Sequence, residues 1–202
     1  MSKEQWDERY RNTEYVYGKE PNGFFRRELH DLAPGKLLLP AEGEGRNAVF
    51  AASEGWDVTA FDHSEEGKQK AMKLAHEKGV SFHYGIATLE EASFPENHFD
   101  AVALIFIHQP PLLRRAFHRR LLRFLKPGGV ILMEAYSREQ IHFLTGGPLN
   151  PDLLFTEEDI REDFNHWEII CLKTMLVNHD EGLLHRGIGS VIRLKALKPF
   201  TQ

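Results

Sequence analysis

Glu42, Gly43, Glu44, Gly45, Arg46, Asn47 and Ala48 stand between a short apolar run and a helical pattern, and Gly43, Gly45 and Ala48 among them fit G-x-G-x-x-A. Glycines at these points let the backbone turn tightly and approach a ligand closely. The first turn of the following helix offers N–H donors to an anionic group such as a carboxylate or phosphate. Asp62 ends the next apolar run, about 20 positions on, where an acidic side chain can accept both hydroxyls of a ribose. These residues point to a nucleoside-containing cofactor, and both a dinucleotide and S-adenosylmethionine satisfy them.

Other residues could serve an acceptor. His108 follows the apolar run Ala101 to Ile107, where it can act as a general base, wall the cofactor pocket or be a satisfied structural histidine. His185 and Arg186 lie in a polar turn at 178 to 189, and Arg193 lies in the apolar pattern after it, with its tip either at the substrate or at the surface. Such cations suit a thiolate, selenolate or oxyanion, which is nucleophilic near neutral pH without a strong base. The 11 histidines include no i, i+4 pair, and the single Cys171 cannot build a thiolate cage, so no metal is expected. Cys171, between Ile170 and Leu172, reads as a buried, inert thiol.

Positioning these residues requires alternating strands and helices. Apolar runs predict strands at 36–39, 57–61, 80–85, 101–107, 130–133, 168–177 and 190–197, and helical patterns fall at 47–53, 65–78 and 113–124. Lys126 to Gly129 are expected to end the third helix. Thr156 reads as the N-cap of a helix over 157–164, with Asp159 its capping-box partner. The last two strands are separated by only a dozen residues and should pair antiparallel. The expected architecture is α/β: a Rossmann-like, doubly wound, mostly parallel seven-stranded sheet with an antiparallel last strand. Ligands bind such sheets at the carboxyl ends of the parallel strands.

With 202 residues, 42% hydrophobic and 27% charged, and no repeat or linker, the chain reads as a single domain over 1–202. Within it, 1–33 form an N-terminal cap or lid, 34–135 a cofactor-binding core and 136–202 the substrate side. The longest apolar run, seven residues, is far short of a membrane span, and the polar opening suggests no export signal, so a cytoplasmic protein without a membrane partner is expected. The net charge of −5 gives no reason to expect a nucleic-acid partner. Arg114, Arg115, Arg119, Arg120 and Arg123 read as a solvated face over the apolar stripe Leu113, Phe117, Leu121 and Phe124.

Phe94 to Asp100 before the central strand, and Leu125 to Gly129 before the next, resemble signatures of class I S-adenosylmethionine-dependent methyltransferases. The opening segment (Trp6 to Tyr10, then Tyr15 to Gly18) and the ending (Gly146 to Pro148, then Glu181 to Arg186) are similar to the small tellurite-resistance and thiopurine methyltransferase-like branch. The resemblance implies S-adenosyl-L-methionine as cofactor, with Gly43, Gly45 and Asn47 along its methionine part, Asp62 on the ribose and His63 beside the adenine. Thr88 and Leu89 would also meet the adenine, Ile107 and His108 would border the sulfonium, and Tyr17 would close over the cofactor. His185 and Arg186 would be catalytic contacts, with Arg193 a substrate contact. The family's acidic residue and first glycine fall on Leu39 and Ala41 here, its adenine-contacting Asp on Thr88, and Glu42 stands as the nearest substitute acid.

The sequence thus predicts a methyltransferase acting on a small-molecule acceptor that is soft or anionic: a thiol, a thiopurine, or a selenium or tellurium oxyanion. An NAD-dependent oxidoreductase shares the glycine loop and Asp62 but leaves the two flanking signatures unexplained. A non-catalytic S-adenosylmethionine-binding protein would accommodate the departures at Leu39, Ala41 and Thr88.

Overall fold

The computed structural model describes residues 2–200. Seven strands form one sheet: β1 (Lys36–Pro40), β2 (Asp57–Asp62), β3 (His83–Ile86), β4 (Phe99–Ile105), β5 (Leu125–Tyr136), β6 (Glu168–Glu181) and β7 (His185–Leu197), in the order β3-β2-β1-β4-β5-β7-β6. The pairs β1–β2, β2–β3 and β4–β5 are parallel, and β5–β7 is antiparallel. This is the mostly parallel, doubly wound sheet that the alternating pattern predicts. The helices are α1 (Lys3–Tyr10), α2 (Gly23–His30), α3 (Arg46–Ser53), α4 (Glu65–Lys78), α5 (Pro111–Phe124) and α6 (Glu157–Asp163). The chain divides into two compact units, one of residues up to 93 with Glu181–Leu184, the other of Phe94–Asp180 with residues from 185 onward.

In the first unit, Leu37, Leu38 and Leu39 of β1 are all buried, as a strand covered on both faces requires. Helix α4 starts where Ser64 accepts the Gly67 amide at 3.0 Å and stops at Gly79, whose left-handed backbone closes the last turn. Helices α1 and α2 have no counterpart in the sequence prediction. Tyr10 is the one buried residue of α1, so no apolar period marks it.

In the second unit, Ala101 to Leu104 are buried. Strand β5 begins at Leu125, directly after α5, so Lys126 to Gly129 lie within a strand and do not follow the helix as a separate stop. Phe117, Leu121 and Phe124 of α5 are buried as predicted, whereas Leu113 of the same stripe, in the first turn of the helix, is exposed. Arg114 departs from the solvated face: it is buried and bonded to Asp163 at 2.9 Å and Asp159 at 3.2 Å. Asp163 also bonds His118 at 2.8 Å. Thr156 and Asp159 form the expected capping box. Strands β6 and β7 extend well past their predicted ends, leaving only 182–184 between them. Their tips bury few side chains, which removes the apolar alternation that reveals a strand. On β6, Ile170 is exposed and Cys171 half-buried, so this thiol is not in the core.

Candidate active site

The glycine loop leaves β1 through Ala41, whose φ of +49° puts an alanine in left-handed conformation where the resembling family has glycine. Glu42 then turns back onto α3. Its Oε1 accepts the amides of Asn47 and Ala48, both at 2.8 Å, and its Oε2 accepts Asn47 Nδ2 at 3.4 Å. Burial outweighs these bonds and pushes the carboxyl up to about 7. Gly43 donates its amide to Asp62 Oδ2 at 3.1 Å, while Asp62 Oδ1 accepts the Ser64 amide at 2.9 Å. Burial raises the Asp62 carboxyl, and the hydrogen bonds to it act in the opposite direction. A carboxylate has about four acceptor positions, so both oxygens keep capacity for ribose hydroxyls.

Aromatic groups enclose this loop. Tyr84 donates its hydroxyl to Gly43 O at 2.6 Å. A Cβ at Gly43 would lie 2.6 Å from Tyr10 Oη, so glycine is required there both by the φ of +60° and by the tyrosine against it. Tyr10 stacks on Trp6 with ring centroids 5.3 Å apart, and burial together with the Asp62 charge holds its hydroxyl well above the ordinary range.

The residues between the glycines fix the N-terminal segment. Glu44, buried, accepts the Val16 amide at 2.9 Å and pairs with Lys70 at 2.6 Å. Arg46 donates to Tyr17 O at 2.9 Å and to Glu181 at 2.8 Å. Tyr17 accepts Arg9 Nη1 on its hydroxyl at 2.9 Å. Tyr17, Glu42, Gly43, Gly45, Asn47 and Asp62 thus belong to one connected region, with half-buried His63 next in chain to Asp62. Thr88 is engaged in its own turn, its amide and hydroxyl both bonding Glu91, at 3.1 Å and 2.9 Å, and Leu89 beside it is buried. Glu44, Arg46, Asn22 and Tyr84 carry bonds that sequence reasoning missed. The first two sat unused within the motif; no local signal marks the others.

In the second unit, β4 leads into Phe106, which has a φ of +54°, then half-buried Ile107 and His108. His108 Nδ1 is 2.8 Å from Leu153 O and Nε2 accepts the Tyr136 amide at 3.4 Å. Burial lowers the imidazole to about 4. With one nitrogen donating to a carbonyl and the other accepting an amide, His108 has the bonding expected of the structural alternative.

His185 opens β7 and does not sit in a loop; it is buried, 4.5 Å from the Phe106 ring, 5.5 Å from Tyr136 and 5.8 Å from His179 between centroids. His179 was not foreseen because its strand was expected to end at Val177. Arg186 is exposed, 3.6 Å from equally exposed Asp180, a pairing of small energetic weight. Arg193 bonds buried Glu134 through Nε and approaches Met175 Sδ at 3.4 Å, so its tip is not at the surface. Among the described residues no group of three or more His, Cys, Asp or Glu is placed to hold a metal, and no helix is long and apolar enough to cross a membrane.

Residues 40–129 match the family described as "Methyltransferase domain". That stretch resembles a methyltransferase domain. Over 168 residues the chain is 21% identical to the "Probable S-adenosyl-L-methionine-dependent methyltransferase TehB" of Haemophilus influenzae, covering 81% of this chain and 55% of that protein. The chain spans about half the length of the curated relatives it matches. The crystal structure of TehB from Haemophilus influenzae superposes with a TM-score of 0.73 at 18% identity, over 97% of this chain and 66% of the other. A structure described as "Conversion of a Disulfide Bond into a Thioacetal Group during Echinomycin Biosynthesis" superposes with a TM-score of 0.82 at 19% identity, over 99% and 93%. These superpositions show the fold. The chain resembles the class I S-adenosylmethionine-dependent methyltransferases, TehB among them, and S-adenosyl-L-methionine is the cofactor such a domain implies.

Proposed function

We propose that this chain, acting as one methyltransferase domain, transfers a methyl group from S-adenosyl-L-methionine to a small soft or anionic acceptor of the thiol, thiopurine, or selenium or tellurium oxyanion class. The observation that carries the reading is Glu42 on the N-terminus of α3. The amides of Asn47 and Ala48, which would receive the pyrophosphate of a dinucleotide, already serve an internal carboxylate. Buried Asp62 adds a second acidic group beside the same loop. Such a lining repels pyrophosphate and attracts a sulfonium and an ammonium, which favours S-adenosyl-L-methionine over NAD.

The residues fit that cofactor. Asp62 would take the ribose hydroxyls, Gly43, Gly45 and Asn47 would follow its amino-acid end, His63, Thr88 and Leu89 would flank the adenine, Ile107 would border the sulfonium and Tyr17 would cover it. The bound cofactor supplies an electrophilic methyl group. The chain's part is to align the acceptor in line with that methyl and to exclude water. His185 and Arg186 would hold the acceptor's charge, and Arg193, paired with Glu134, would be the further substrate contact.

Calorimetric titration with S-adenosylhomocysteine and, separately, NAD tests the reading. Saturable binding of the former alone is expected, and Asp62→Ala should weaken it at least tenfold. Binding of NAD alone would overturn the proposal. With thiols, thiopurines, selenite and tellurite as acceptors, His185→Ala should cut turnover while leaving S-adenosylhomocysteine affinity intact.

A further inference from the structure

Glu181, at the end of β6, gathers two segments of the first unit through one carboxylate. Its Oε2 takes Arg46 Nη2 at 2.8 Å, and its Oε1 takes Asn22 Nδ2 at 3.0 Å and the Gly23 amide at 3.4 Å. Both partners of the ion pair are largely buried, with side chains 8% and 16% exposed for Arg46 and Glu181. Arg46 is the residue immediately after Gly45, and its second amino group holds Tyr17 O. Asn22 donates its amide to Asn47 Oδ1 at 2.9 Å, and Asn47 is bonded to Glu42. The turn after Glu181 presses on the same N-terminal segment: Leu183 donates its amide to Val16 O at 2.9 Å, and a Cβ at Gly182 would collide with Gly18 N and Val16 O.

Residues 15–18 are therefore gripped on both backbone edges. Glu44 accepts the Val16 and Tyr17 amides from the glycine-loop side, while Leu183 and Arg46 bind their carbonyls. Resting on the reading of this loop as a cofactor site, we propose that Glu181 is a positioning residue for S-adenosyl-L-methionine: its carboxylate locks Arg46 and Asn22, and through them sets the Tyr17 segment and the Asn47–Glu42 contact in their binding arrangement. A buried ion pair costs desolvation and is weak evidence for stability, so its retention here is better explained by the geometry it fixes. Removing the charge leaves the Arg46 guanidinium without its anion while Gly45 and Asn47 flank it in the chain.

The experiment compares wild type, Glu181→Gln and Arg46→Lys as full chains. Glu181→Gln keeps the shape and loses the anion; Arg46→Lys keeps the charge but cannot bridge Glu181 and Tyr17 O together. Calorimetry should show S-adenosylhomocysteine bound at least tenfold more weakly by folded Glu181→Gln, with Arg46→Lys between it and wild type. Binding within twofold of wild type by a folded Glu181→Gln would overturn the proposal. Hydrogen exchange on wild type adds a readout independent of the variants' folding. Saturating S-adenosylhomocysteine should slow exchange at the Val16, Tyr17 and Leu183 amides, and unchanged exchange there would also overturn it. Failure of wild type itself to bind S-adenosylhomocysteine would instead strike the cofactor reading, and the role of Glu181 with it.

Discussion

The Glu42 carboxylate accepts the Ala48 amide at 2.8 Å, so a residue of the glycine loop caps the helix that the loop introduces. Enclosure there raises the carboxyl from 4.5 to about 7. Between those values the folded chain holds the proton more tightly than the unfolded chain. This contribution to stability is therefore complete below pH 4.5 and is lost as pH rises through 7, by on the order of 3 kcal/mol. Glu42→Gln should remove that downward slope, as measured by urea unfolding at pH 4.5, 5.5, 6.5 and 7.5. An unchanged pH profile would show that the carboxyl titrates normally.

His108 works in the opposite sense. Its imidazole falls from 6.5 to about 4, because burial between Leu153 and Tyr136 opposes protonation. Stability from this group is complete above pH 6.5 and is lost as pH falls towards 4, again by on the order of 3 kcal/mol. The two groups offset each other across the window they share. His108→Gln, which can still donate to Leu153 O, should leave a profile that falls more steeply with pH than wild type, whereas Glu42→Gln should leave one that rises. Turnover should show no His108 ionisation between pH 5 and 8, and a rate that follows a group lost only in the His108 variant would restore it as a base.

Ala41 offers a test of backbone strain. A left-handed alanine costs roughly 1–2 kcal/mol, part of which glycine returns by adding freedom to the unfolded chain. With φ at +49°, Ala41→Gly should stabilise the protein by about 0.5–1 kcal/mol, raising Tm by roughly 1–4 °C for a chain of this size. Calorimetric melting checks it. A fall in Tm would mean that the methyl group contributes packing that the strain does not outweigh.

The parallel sheet was legible because buried strands such as Leu37–Leu39 and Ala101–Leu104 carry nearly unbroken apolar runs, separated by helices with caps like Ser64 and Thr156. The glycine loop and Asp62 were legible because their chemistry depends on local spacing. What escaped depends on distant partners. Arg114 looks like a solvent residue until Asp163, 49 positions away, meets it. Glu181 gains its meaning from Asn22 and Arg46, and α1 buries a single tyrosine. His179 and His185 fell in a segment read as a turn, because a two-stranded ribbon with few buried side chains has no periodic apolar mark.

Glu134 and Arg193 face each other across the β5–β7 register, bonded through the carboxylate and the guanidinium Nε. Glu134 is 1% exposed, so deleting either partner takes a buried opposite charge away from the other. Glu134→Ala and Arg193→Ala should each cost about 3–5 kcal/mol, while the double replacement Glu134→Leu with Arg193→Met should be neutral or stabilising by about 1–4 kcal/mol. Urea midpoints for the four proteins give the coupling directly. The double variant also separates the two readings of Arg193, because it folds without the ion pair. If Arg193 serves only Glu134, methyl transfer by the double variant should match wild type. If the guanidinium also holds the acceptor, its KM should rise while S-adenosylhomocysteine affinity stays unchanged.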